Sequence, residues 1–183
     1  MRLDRTHTVL LIIDVQEKFM PVIDRAGEVV RNIERLIRGC HVLGIPVITT
    51  EQYVKGLGGT IEVLKSALVE CGGYLPIEKD CFSAVGCEPF TARLEHLARR
   101  QVLVVGVETH VCVYQTLADL VRAGYECSIV TDAVSSRTPE NRELALRRLE
   151  AEGVKLTSTE MALFELLRVS GTAEFKAISR LVK

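Results

Sequence analysis

The chain predicts a three-layer α/β/α fold, Rossmann-like, with a mostly parallel six-stranded sheet. Two observations carry that prediction. Short aliphatic runs, too short for helix cores, alternate from end to end with stretches whose apolar residues recur at helical spacing. No repeat or low-complexity segment interrupts the alternation. Strand and helix in strict succession give parallel strands with helices on both faces, and in such sheets ligands bind beyond the carboxyl ends of the strands, where strand order reverses. A length of 183 residues suits a single domain over 1–183, long enough to bury roughly 70% of the unfolded surface.

Residues 8–14, TVLLIID, read as a buried parallel strand ending at Asp14. Val29, Val30, Ile33, Leu36, Ile37 and Cys40 then define an amphipathic helix from about Asp24 to Leu43, with Gly44 placed to end it. The run 45–50, IPVITT, is the second strand, and 51–60, EQYVKGLGGT, is a glycine-rich loop beyond its carboxyl end. A short helix near 61–68 leads to a third strand over 74–78, with Lys79 at its carboxyl end, and a helix over about 88–99 follows. The fourth strand, 102–105, runs through Gly106-Val107-Glu108-Thr109-His110 into a helix that begins near Cys112 and buries Val113, Leu117, Leu120 and Val121. A fifth strand at 126–131, a helix capped by Thr138-Pro139 and stopped at Gly153, a sixth strand at 154–157, and two helical segments, 159–169 and 172–182, complete the chain.

Hydrophobic residues at 48%, charged residues at 26% and a formal net charge of −1 describe a globular protein, with no electrostatic basis for binding nucleic acid. The start, Met1-Arg2-Leu3-Asp4-Arg5, has no apolar signal core, and no apolar run approaches the ~20 residues of a spanning helix. No membrane partner is expected, and the expected location is cytoplasmic. The six cysteines are then expected to stay reduced. None forms a Cys-x-x-Cys pair, and the four histidines lack ligand spacing, so no metal or cofactor is expected.

Three reactive residues, Asp14, Lys79 and Cys112, fall at three strand ends. Taken singly each has a plainer use: a buried cysteine as a small hydrophobe, Asp14 as a helix cap, Lys79 as part of a solvated charge cluster with Glu78 and Asp80. Together they suit acyl transfer. A helix start and a nearby ammonium are expected to lower the pKa of the Cys112 thiol, and a carboxylate moves its proton. Backbone N–H groups of the turn, chiefly those of Glu108 and Cys112, are placed to stabilise an oxyanion. His110, two residues before Cys112, diverges from it on a helix and is not expected to pair with it.

These residues sit in recognisable motifs. Residues 14–19 (DVQEKF), Glu78-Lys79 with Phe82-Ser83, and residues 106–112 (GVETHVC) resemble the first, lysine and nucleophile motifs of the isochorismatase-like cysteine hydrolase superfamily, which includes nicotinamidases, carbamoylsarcosine amidases and many members of undefined substrate. Glu51-Gln52, Lys55-Gly56-Leu57-Gly58 and residues 132–137 (DAVSSR) resemble a branch whose substrates are largely unassigned. The resemblance implies an Asp14–Lys79–Cys112 triad, a cis peptide between Val107 and Glu108, a pocket lined by Phe19, and a homo-oligomer acting on a small-molecule substrate. The apolar residues Leu163, Phe164, Leu166 and Leu167 are candidates for an interface or for packing on the chain's own sheet. Gln52 and Tyr53 are candidate substrate contacts from their loop position. Nicotinamidases carry metal-binding histidines after the second strand, whereas 51–60 holds none, and enzymes that cleave isochorismate generally lack the cysteine. A metal-independent cysteine amidohydrolase of a small amide is therefore the leading expectation. The alternatives are a thiol-based redox or electrophile-scavenging protein and a non-catalytic small-molecule binding protein; a dinucleotide site is disfavoured because the turn is not Gly-x-Gly-x-x-Gly.

Overall fold

The computed structural model describes residues 2–183. Its sheet is built from β1 (Thr8–Ile13), β2 (Val47–Gln52), β3 (Ile77–Lys79), β4 (Gln101–Val107), β5 (Glu126–Ser135) and β6 (Lys155–Thr157), in the order β3-β2-β1-β4-β5-β6. Every neighbouring pair is parallel, so the sheet is wholly rather than mostly parallel. The chain winds outward from β1 through β2 to β3, then crosses back and winds the other way through β4, β5 and β6. The switch point therefore lies between the carboxyl ends of β1 and β4, where Asp14 and the 106–112 turn follow their strands.

Sequence periodicity explains the layering. All residues of β1 and β4 are buried, and because side chains alternate across a strand, each strand feeds two cores. Leu10, Ile12, Leu103 and Val105 pack on one face with α1 (Ala26–Val42), α3 (Glu62–Glu70), α7 (Thr159–Leu167) and α8 (Ala173–Val182). Val9, Leu11, Ile13, Val102 and Val104 pack on the other with α4 (Glu88–His96), α5 (Tyr114–Arg122) and α6 (Pro139–Ala151). Helix α1 buries Val29, Ile33, Leu36, Ile37 and Cys40 at the predicted spacing. Leu163, Leu166 and Leu167 of α7 are likewise buried within this chain's own core rather than displayed as a face. No helix among the described residues is long and apolar enough to cross a membrane.

Three strands end later than their aliphatic runs suggest. β2 continues through Thr49, Thr50, Glu51 and Gln52, all buried; β3 is the short 77–79 segment with Lys79 inside it, and β5 reaches Ser135. In each case polar side chains finish a strand whose backbone is still in the ladder, and buried polar groups persist there because they find partners across the sheet. One such partnership closes the loop after β2, which contains the short α2 (Val54–Leu57). The Glu51 carboxylate accepts hydrogen bonds from the Thr60 amide at 2.6 Å, the Thr60 hydroxyl at 2.7 Å and the Tyr74 hydroxyl.

Candidate active site

The close approach of β1 and β4 at the switch point depends on one residue without a side chain. Gly106 has φ +115°, and a Cβ there would be driven into the backbone carbonyl of Ile13. With that barrier absent, β1 lies tightly beside β4 and delivers Asp14, itself in the left-handed region at φ +53°, next to the turn that follows β4. That turn is a single wide π-helical turn, Thr109–Val113, ahead of α5. Its amides at Val111 and Val113 bond to the Glu108 carbonyl at 3.1 and 3.3 Å. The Val107–Glu108 peptide preceding it is cis, as the motif resemblance implies. Cys112 thus sits inside the π turn, two residues before α5, rather than at the start of a regular helix.

Asp14 and Lys79 have fully buried side chains joined at 2.8 Å. β2 lies between β1 and β3, so Lys79 reaches Asp14 across the width of a strand by its long aliphatic stem. The other Asp14 oxygen accepts the Thr50 hydroxyl at 2.7 Å. Lys79 Nζ also meets Gln52 Oε1 at 2.7 Å and the carbonyls of Cys81 and Phe82, each at 3.2 Å. Cys112, 4% exposed, lies close enough to Asp14 for the carboxylate charge to act on its thiol.

This environment reverses the direction expected for the thiol. Burial first, then the Asp14 charge, push Cys112 up to about 12, while Lys79 opposes them and Glu108 adds a further upward push. A helix start and one ammonium do not outweigh a desolvated sulfur beside a carboxylate. The resting group is a neutral thiol near a carboxylate.

The structure bonds Asp14, Lys79 and Gln52 into one cluster, with Cys112 close enough to feel the charges of Asp14 and Lys79. Phe19 and Tyr53 lie outside it: Phe19 is half-buried against the α1 side of the core, and Tyr53, 56% exposed, has its ring against Gly56. Both polar atoms of the Gln52 side chain are engaged within the chain: its Nε2 donates to the Asp80 carbonyl at 2.8 Å and its oxygen takes Lys79. His110 pairs with Ser136 through Nδ1 at 3.0 Å, apart from Cys112. Residues that the sequence reading missed include Thr50, Gln16, and the buried Glu108 carboxylate with Arg137, whose Nε lies 3.0 Å away. The signal for the first was available, in polar residues at the carboxyl end of an otherwise aliphatic strand. Among the described residues, no group of three or more His, Cys, Asp or Glu side chains is arranged to hold a metal ion.

A wholly parallel, doubly wound sheet with a buried polar cluster beside its switch point defines an α/β protein whose site lies at the strand ends. Comparison with known proteins sharpens this. The isochorismatase domain model matches residues 8–161, and the chain belongs to that family of hydrolases. It is 39% identical over 176 residues to isochorismatase domain-containing protein 1 of Danio rerio, a match that covers 96% of this chain and 61% of that protein; the chain thus spans about three-fifths of that relative's length. The structure described as MAR1 ribonuclease of Caenorhabditis elegans superposes with a TM-score of 0.91 at 38% identity, over 100% of this chain and 92% of that one. The YcaC gene product of Escherichia coli, described as an octameric hydrolase of unknown specificity, superposes with a TM-score of 0.90 at 22% identity, over 98% and 90% of the two chains.

Proposed function

We propose that this protein is a metal-independent hydrolase of a small, non-peptide amide, working through a thioester on Cys112. The observation that carries the reading is one buried carboxylate acting on both an ammonium and a thiol: Asp14 takes Lys79 Nζ at 2.8 Å, and its charge acts on the Cys112 thiol. Such a carboxylate is suited to take the thiol proton as sulfur attacks.

The steps balance as follows. Cys112 Sγ attacks the amide carbonyl carbon as its proton passes to Asp14, and the carbonyl oxygen becomes an oxyanion that the Glu108 and Cys112 backbone N–H groups stabilise. The C–N bond then breaks, Asp14 returns the proton to the departing amine, and the thioester is left. Water attacks the thioester, giving one proton to Asp14, and the carboxylic acid leaves as the Cys112 thiol regains its proton. Lys79 remains an ammonium throughout. Because the thiol is held up near 12, proton transfer accompanies attack instead of preceding it.

The histidine-free segment 51–60 supports metal independence, and turnover is expected to survive a chelator. Cys112 itself supports an acyl-enzyme over vinyl-ether cleavage. The nuclease name of the nematode relative is not carried over, since a net charge of −1 offers no surplus of cations for phosphates. The octameric state described for YcaC supports a homo-oligomer, which gel filtration tests.

The test of the function is a panel of small amides and esters assayed with wild type, Cys112→Ala and Asp14→Asn. Loss of turnover in both variants is expected, and an active Cys112→Ala enzyme sinks the mechanism. Fast reaction of Cys112 with peroxide, with no amide or ester turned over, would favour the redox alternative.

A further inference from the structure

We propose that Gln52 is a positioning residue: its neutral side-chain oxygen holds the Lys79 ammonium in place while Asp14 takes the Cys112 proton and loses its charge, and Gln16 braces it. This rests on the thioester chemistry proposed above.

An ammonium has three protons, and four oxygens surround that of Lys79: Asp14 Oδ2 at 2.8 Å, Gln52 Oε1 at 2.7 Å, and the carbonyls of Cys81 and Phe82 at 3.2 Å. Only Asp14 changes its charge during the reaction. When it takes the thiol proton it becomes a weak acceptor, and the negative charge that held Nζ moves to the oxyanion formed as sulfur attacks. A buried ammonium whose counter-charge moves follows it unless other acceptors hold it. The shortest of the unchanging contacts is that to Gln52.

The geometry of Gln52 suits that task. Its amide cannot turn over without penalty, because Nε2 donates to the Asp80 carbonyl at 2.8 Å; rotation would point N–H groups at the ammonium and set two oxygens against each other. Its backbone is clamped at both polar groups by one side chain. Gln52 N–H donates to Gln16 Oε1 at 2.7 Å, and Gln16 Nε2 donates to the Gln52 carbonyl at 2.9 Å. The same Nε2 reaches the Gly58 carbonyl at 2.6 Å. Gln16, fully buried, therefore behaves like one further rung of ladder between the end of β1 and the end of β2. It fixes Gln52 between Asp14 and Lys79.

The experiment follows alkylation of Cys112 by iodoacetamide, resolved by peptide mass spectrometry, between about pH 7 and 10. It needs no knowledge of the substrate. Iodoacetamide reacts with the thiolate, so the pH profile reports how well the site supports charge on sulfur. Removing the neutral acceptor in Gln52→Leu is expected to loosen Lys79 and slow alkylation about tenfold at a given pH, one unit of profile shift. Gln52→Glu keeps the length and shape but adds negative charge beside Lys79, where it competes with the sulfur for the ammonium, and is expected to shift the profile in the same direction at least as far. A purely structural role predicts that Glu restores the wild-type profile. Wild-type profiles in both variants, or restoration by Glu, overturn the proposal; where the Leu variant does not fold, the Glu variant decides alone. Two controls separate this inference from its foundation. Asp14→Asn is expected to speed alkylation and Lys79→Met to slow it. If neither moves the profile, the triad reading fails and this inference with it; if both move it and Gln52 does not, only the role of Gln52 is wrong.

Discussion

At the carboxyl end of β1 one side chain meets three partners of different chemistry. Asp14 accepts hydrogen bonds from the Thr50 hydroxyl and the Lys79 ammonium, and its charge acts on the Cys112 thiol. The Thr50 bond is separable from the others. Thr50→Val keeps the shape, leaves one carboxylate oxygen without its donor, and is expected to cost about 1.5–3 kcal/mol in unfolding free energy, read from denaturant titration. Gly106 is less forgiving. Gly106→Ala sets a Cβ against the Ile13 carbonyl at a φ of +115°, a clash of backbone with backbone. A loss of more than about 3 kcal/mol is expected, or failure to accumulate as folded protein, judged by circular dichroism and thermal melting. A variant that melts like wild type would show that the two strands can part without consequence.

Elements show where sequence reasoning reaches and where it stops. Strand–helix alternation was legible because aliphatic runs and 3.6-residue spacing are local properties, and the helix start at Thr138-Pro139 was legible because a cap is local too: the Thr138 hydroxyl accepts the Asn141 amide at 3.4 Å. Ser158 and Thr172 cap α7 and α8 in the same way. Ser158→Ala is expected to lower stability by about 1 kcal/mol, measurable as a shift in the chemical-denaturation midpoint. The polar ends of β2 and β3 were not legible as strand. Residues such as Glu51, Gln52 and Lys79 are paired by other strands, and no window of sequence contains both partners. For the same reason Gln52 read as a loop residue, while the fold places it at the end of β2 as a partner of Lys79. The Asp14–Lys79–Cys112 cluster was legible through its motifs, yet the direction of the thiol was not. A helix start and a nearby lysine can be seen in sequence, but the burial that outweighs them belongs to the whole fold.

At the scale of the molecule the buried thiols have a collective consequence. Burial pushes Cys40, Cys112 and Cys127 from an ordinary 9.0 to about 12 in the native state. A native group raised above its unfolded value contributes stability that is complete below the unfolded pKa and is lost as pH rises through the native one. Between about pH 9 and 12 the unfolded chain sheds these protons while the native chain keeps them. Each thiol then subtracts up to about 1.4 kcal/mol per pH unit. The denaturation midpoint is expected to fall steeply above pH 9, and Cys40→Ala, with its cavity cost measured at pH 7, to flatten that fall. An identical slope in the variant would contradict it.

The most direct test of the central claim is to quench the enzyme during turnover of a small amide or ester and map any acyl adduct by peptide mass spectrometry. The account predicts added acyl mass on the peptide carrying Cys112 and on no other, with the adduct absent from Cys112→Ala. Turnover with no adduct on Cys112, or with the acyl group on another residue, would contradict it.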